Sequence, residues 1–267
     1  MALLGTAYVP NTPTLIGNLG VRHENTIKAL SRIGAGIGHP EAAIVVTPHF
    51  VTGGSIGVVS SPRLRQIYDF YGFPDEFYKV RYEPPGSPTI AGEILEAASG
   101  RGLPVSMAEN WGLDHGAWSP LIHIFPDADI PVIPVSISPE LGTGVHEAFG
   151  RVLREVSQNH NICVIATGSL IHRLDLFHSR NSSVPKYAQD YLDTALKAFS
   201  KGNWEDLWSV SEELMSAASP EGGELPLRVV SGVVGENYTA IIHSSEIEFS
   251  AASLTTVTFV SSSDIGD

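Results

Sequence analysis

A chain of 267 residues with 43% apolar side chains can bury a sizeable core, and its length fits one large α/β domain or two small ones. Its 29 acidic against 16 basic side chains give a formal charge of −13, which repels nucleic-acid backbones and anionic membrane surfaces and sets both aside as partners. The single cysteine, Cys163, sits in the apolar run Asn161–Ala166, so an intrachain disulfide is excluded and a reducing, cytoplasmic setting is expected.

The apolar opening Met1–Val9 lacks the basic flank of a signal peptide, is too short to cross a bilayer and reads as a first strand over 3–9. Two prolines in Val9–Ile16 then force a loop away from that strand. His23, Ile27, Leu30 and Ile33 recur at helical spacing until Gly34, Gly36 and Gly38 end the run. Ala42–Thr47 is a continuous apolar run, the pattern of a strand covered on both faces, and it leads into Pro48, His49 and Phe50. A short strand is expected at 55–59, a helix over 88–99 and a strand over 103–107.

Between them, Ile67–Tyr78 packs six aromatics into twelve residues and should fold over something. Asn110–Leu121 reads as a loop, with Asp114 placed to orient His115, Gly116 allowing close approach, Trp111 and Trp118 as flat walls, and a helical turn at 121–125. Ile130–Ile137 is strand-like, and its two prolines push it toward an edge or a bulge. A helix over 140–159, a buried strand over 162–166, two helices over 185–218, a last helix opened by Gly222–Leu227 and strands near 237–243 and 254–260 follow. Ser261–Asp267 is a polar tail, and there is no internal repeat or linker. The alternation predicts a single α/β domain over 1–260, with a mostly parallel or mixed central sheet, flanking helices and an active site at the strand C-terminal ends.

Ten histidines are present, and three of them, His49, His115 and His172, leave loops that gather at one edge of such a sheet. Imidazoles so placed serve as metal ligands or as acid/base groups, and a carboxylate commonly completes an iron site; Glu224 and Glu221 are the candidates here. A helix-start carboxylate favoured by the macrodipole is the competing reading of Glu224. His23, His39, His123, His146, His160, His178 and His243 read as surface or packing residues. The chain lacks a G-x-S-x-G elbow, a phosphate loop, H-E-x-x-H, CxxC and G-x-G-x-x-G, which removes the usual marks of serine hydrolases, NTPases, zinc sites and dinucleotide binding.

Ile67–Tyr78 with Tyr82–Gly86, Gly112–Leu121 with Phe125–Pro131, and Gly168–His172 resemble the class III extradiol ring-cleavage dioxygenases, the LigB-like superfamily, and within it the DOPA-dioxygenase branch. The resemblance runs from about residue 40 to 260. It implies a non-haem Fe(II) site, with Zn(II) often found instead, where a catechol-type aromatic substrate binds through both hydroxyls beside O2 and the ring opens outside the two oxygenated carbons. By motif, His49 corresponds to a metal ligand, His115 to the histidine that contacts substrate or oxygen, and His172 to an acid/base or, in some branches, a ligand; Trp118, Tyr71 and Phe73 are the expected substrate-binding aromatics.

Two departures bear on the metal. The family carries a ligand histidine after the first strand, where this chain reads Tyr8–Thr14 without one; Asn11 best fits its place, with Pro10 or Tyr8 as alternatives. The last ligand falls at Gly223 or, with a one-residue shift, at Glu224. The expected function is therefore an Fe(II)-dependent extradiol dioxygenase with His49, Glu224 and Asn11 at the metal and His115 and His172 in catalysis. The alternatives are a non-catalytic, metal-poor paralogue or subunit of a heteromeric dioxygenase, and acid/base chemistry by His115 and His172 without a redox metal. Self-association as a homodimer is compatible with the apolar strands and aromatic lid.

Overall fold

Strands β1 (Leu3–Val9), β2 (Ala42–Val51), β5 (Val132–Ile137) and β6 (Ile162–Thr167) are rich in Val, Ile and Ala and buried over most of their lengths. Such runs belong in the middle of a sheet covered on both faces. In the computed structural model, which describes residues 1–20, 22–176 and 183–264, they form the centre of one eight-stranded sheet. The outer strands are β3 (Ile56–Val58), β4 (Val105–Met107), β7 (Tyr238–Glu248) and β8 (Ala252–Ser261), and the order is β4-β3-β5-β2-β6-β1-β8-β7. The β1/β6, β2/β6, β2/β5 and β3/β4 ladders are parallel, whereas β3/β5, β1/β8 and β7/β8 are antiparallel, so the sheet is mixed.

Alternate side chains of the central strands feed two separate cores, as the two-residue repeat of a strand requires. Ala43, Val45, Val132, Cys163 and Ile165 pack with helices α1 (Glu24–Ile37) and α3 (His115–Ile124) and with the aromatic segment around Phe70 and Phe77. Ile44, Val46, Ile133, Val135 and Val164 pack with α2 (Pro88–Gly100), α4 (Gly142–Val156), α5 (Lys186–Lys201) and α8 (Leu225–Val234). Helices α4 and α8 touch through glycines: a Cβ on Gly150 would strike the Val229 carbonyl, and one on Gly232 would strike that of Glu147.

Four details differ from the expectations. β5 is an interior strand despite Pro134, because that residue faces the short strand β3, which meets β5 through a single bridge, and the Pro134 carbonyl there accepts from Val59 N–H at 3.0 Å. The missing N–H therefore costs no ladder bond to β2. The stretch read as a loop to Leu121 is helical from His115, because Asp114 caps α3 and accepts from Ala117 N–H at 3.2 Å. The 185–218 region holds three helices rather than two, α5, α6 (Glu205–Trp208) and α7 (Glu212–Ala218). Finally, β2 continues through Pro48, which puts His49 among the last residues of the strand instead of beyond it. His178 and the end of the polar tail, 265–267, lie outside the described residues, and among the described residues no helix is long and apolar enough to cross a membrane.

Candidate active site

The carboxyl ends of β1, β2 and β6 lie side by side, and they bring together Asn11 just past β1, His49 near the end of β2 and the Gly168–His172 segment after β6. Glu221 joins them from the turn between α7 and α8, where its N–H donates to Ser169 O at 2.9 Å. The Glu221 carboxylate is the centre of the cluster. Its Oε1 lies 2.8 Å from His49 Nε2, accepts from Asn11 Nδ2 at 3.1 Å and lies 4.0 Å from His172 Nε2. Its Oε2 is buried and has no hydrogen-bond partner among the described residues. A buried acceptor of that kind is costly unless something positive meets it.

On the other side of His49, Asp69 reaches in from the aromatic segment. Its Oδ2 is 2.7 Å from His49 Nδ1, and its Oδ1 accepts both the Nδ1–H and the backbone N–H of His115 at 2.8 Å. The two imidazoles meet edge to face, with ring centroids 4.2 Å apart. Burial alone would lower the His49 pKa, but the carboxylates Asp69 and Glu221 outweigh it and raise the pKa to about 10. Because both ring nitrogens face oxygens that only accept, His49 is an imidazolium here. Burial disfavours the charged forms of Asp69 and Glu221 as well; hydrogen bonds from the histidines reverse that, and both carboxyls are held below their ordinary range.

Asp114 does a different job from the one its neighbourhood suggested. It is fully buried and accepts from Thr47 Oγ1–H at 2.8 Å, Trp111 Nε1–H at 3.0 Å and the first turn of α3, while Thr47 Oγ1 accepts from His49 N–H at 3.2 Å. It thus supports the backbone of His49, and Asp69 is what orients the His115 ring. Burial pushes the Asp114 carboxyl pKa up. Gly116 is required at its position, because a Cβ there would lie 2.5 Å from Thr47 Oγ1 and 2.7 Å from His49 Cδ2.

The expected site residues separate into two groups. His49, His115, His172 and Asn11 are brought together. Glu224 is not: it pairs with Arg228 one helical turn on, at 2.9 Å, and Glu221 occupies the position at the histidines. Trp118 is fully buried and spends its indole N–H on Ile67 O at 3.0 Å, so it braces the aromatic segment from behind. Tyr71 is 86% exposed, and Phe73 packs edge-on against Phe70 and tilted against Phe77. The ring that meets the site is Phe70, 5.3 Å from His115 and perpendicular to it. Asp69 and Phe70 were hidden inside the aromatic segment, where the sequence signal was for burial alone.

Spacing among the described residues would also allow His49, Asp69 and His115 to hold a metal, since their ligand-type atoms lie within 4.8 Å of one another. Both oxygens of Asp69 already accept imidazole N–H groups, however, which makes it an orienting group more readily than a ligand. The other histidines of the described set serve elsewhere: His23 pairs with Glu248, His123 with Leu15 O, and His146 links Ser138 N–H to Gly142 O.

Comparison with known proteins gives the family of the chain. Residues 7–259 match the family described as the catalytic LigB subunit of aromatic ring-opening dioxygenase. A 4,5-DOPA dioxygenase extradiol of Escherichia coli K12 is 34% identical over 159 residues, covering 59% of this chain and 57% of that relative's length. A protein of the same name from Beta vulgaris is 33% identical over 215 residues, covering 77% of this chain and 78% of the other. The crystal structure of an uncharacterized Escherichia coli K12 protein superposes with a TM-score of 0.75 at 24% identity, covering 95% of this chain and 98% of that one, and so shares the fold. With nearly the whole α/β domain matched and a histidine and carboxylate cluster at its strand ends, the chain belongs to the LigB family of aromatic ring-opening dioxygenases.

Proposed function

We propose that the protein is an extradiol dioxygenase that opens a catechol-type ring with O2 at a divalent metal, Fe(II) in the active form, held by His49, Glu221 and Asn11. The observation that carries this reading is the convergence of the His49 imidazole, the Asn11 amide and the His172 imidazole on one buried carboxylate whose second oxygen, Oε2, has no partner among the described residues. Imidazole, carboxylate and amide oxygen form a donor set suited to a first-row divalent ion, and the unpartnered oxygen is the place where such a charge is wanted. Binding would displace the proton that His49 and Glu221 share, so metal uptake should release protons. The metal, when bound, supplies Lewis acidity to the catechol oxygens and electron transfer to O2.

The chain's own groups divide the remaining work. His172, with Nε2 4.0 Å from Glu221, is placed to take a catechol proton as the phenol pKa falls, and to return it as the ring opens. His115 has its Nδ1–H committed to Asp69, which leaves Nε2 to face substrate or oxygen. Phe70, edge-on to His115, closes that side with an apolar ring and keeps water away from reactive species.

A metal-free reading has one observation in its favour: His49 and Glu221 already satisfy each other as an ion pair. The deciding experiment is anaerobic loading with Fe(II), quantification of iron per chain, and oxygen uptake with a panel of catechols in the same sample. Near-stoichiometric iron with catechol-dependent uptake supports the dioxygenase, and Asn11→His should then tighten iron binding. No retained metal and no uptake would reject it in favour of a non-catalytic or partner-dependent member.

A further inference from the structure

The aromatic segment Ile67–Tyr78 does more than cover the site, because it carries Asp69. The carboxylate is locked from both sides. Ile67 N–H donates to Leu113 O at 2.8 Å, Trp118 Nε1–H donates to Ile67 O at 3.0 Å, and Tyr78 Oη–H donates to Phe70 O at 3.2 Å. Held this way, the 21%-exposed Asp69 side chain puts one oxygen on each of two imidazoles at 2.7 and 2.8 Å, and takes the His115 backbone N–H as well.

A carboxylate oxygen accepts and never donates when ionised, so whichever ring nitrogen faces it must carry the hydrogen. For both histidines that nitrogen is Nδ1. We infer that Asp69 is a positioning residue that fixes the Nδ1–H form of His49 and His115 together and thereby turns the Nε2 atoms of both rings to the site. The histidine on the metal side and the histidine on the substrate side are thus oriented by the two oxygens of one group. A rotation of Asp69 that broke one bond would strain the other, which couples the two rings. Order in the aromatic segment becomes a condition for both. The inference rests on the proposed function only where it gives His49 a metal to bind; the protonation pattern itself stands apart from any reaction.

The test uses the full chain, uniformly 15N-labelled and free of metal, with long-range 1H–15N spectra of the histidine rings at neutral pH. In the wild type, His115 and His49 should each show a protonated Nδ1. Asp69→Asn offers one oxygen and one NH2, so it can serve only one of the two rings; at least one of them should lose its Nδ1–H form. Zn(II) affinity, read by competition with a chelating dye, should fall by about 10–100-fold, the usual effect of removing an outer carboxylate from a ligand histidine. A His115 without a hydrogen on Nδ1 in the wild type would overturn the inference without any variant, which covers the case of a variant that fails to fold. Unchanged ring forms in Asp69→Asn with Zn(II) affinity within twofold would also overturn it. So would loss of both Nδ1–H signals on Zn(II) loading, which would put the ion on Asp69 itself. Absence of ring cleavage with these spectra as expected would count against the dioxygenase reading alone.

Discussion

Replacing Asp114 with alanine should destabilise the protein substantially while leaving the ring forms of the active-site histidines in place. Three donors lose an acceptor: Thr47 Oγ1–H, Trp111 Nε1–H and Ala117 N–H at the start of α3. Loss of the helix cap costs about 0.5–2 kcal/mol, and each buried donor left unpaired costs about 1–3 kcal/mol. The Thr47 hydroxyl can turn to another acceptor, and removing a fully buried carboxylate relieves a desolvation penalty, so a net loss of about 3–5 kcal/mol is expected. In a chain of this size one kcal/mol moves Tm by about 2 °C, giving a fall of about 6–10 °C by differential scanning calorimetry. Asp114→Asn retains an oxygen for Thr47 and Ala117 and opposes only Trp111 with an NH2, so it should lose about half as much. A fall of less than about 2 °C for Asp114→Ala would refute the assignment of Asp114 as the buried cap that supports β2 and α3. A changed ring form of His115 in Asp114→Ala would return the orienting role to Asp114.

Metal-free protein should have an asymmetric pH–stability profile. The folded-state pKa of His49 is raised to about 10, so its contribution is complete below the unfolded value of about 6.5 and is lost as pH rises through 10. Asp69 and Glu221 are depressed, so theirs is present above about pH 4 and is lost on acidification. Urea midpoints should therefore be highest between about pH 4.5 and 6.5, and His49→Gln should flatten the alkaline limb; an unchanged limb would locate the titrating group elsewhere. Gly116→Ala should cost about 1–3 kcal/mol and weaken Zn(II) binding, because the new methyl meets Thr47 and His49; a wild-type Tm would show that the helix start can shift aside. His49→Ala should lose both bound metal and ring cleavage, whereas His172→Ala should keep metal and lose cleavage. Equal metal loss in the two variants, measured by atomic absorption, would make His172 a ligand.

The sequence by itself determined the α/β class and most of the elements, because strands covered on both faces must be continuously apolar and the helices between them must carry a periodic face. It also led to the expectation that His49, His115 and His172 gather, and the direction of the parallel strands β2 and β6 accounts for His49 and His172, whereas His115 follows β4, which runs opposite to them, and is brought in by the start of α3. Only the tertiary structure decided which carboxylate joins them. Glu221 and Glu224 are three residues apart, but the turn before α8 sends the first to His49 and the second to Arg228, and local pattern does not encode that direction. The same holds for the aromatic segment. Composition foretold burial, whereas packing on α3 sent Phe70 inward and left Tyr71 out in solvent. Asp69 lies 20 residues from His49 and 46 from His115 along the chain, and the bonds that make one carboxylate serve both rings exist only once the segment is laid across the sheet's edge.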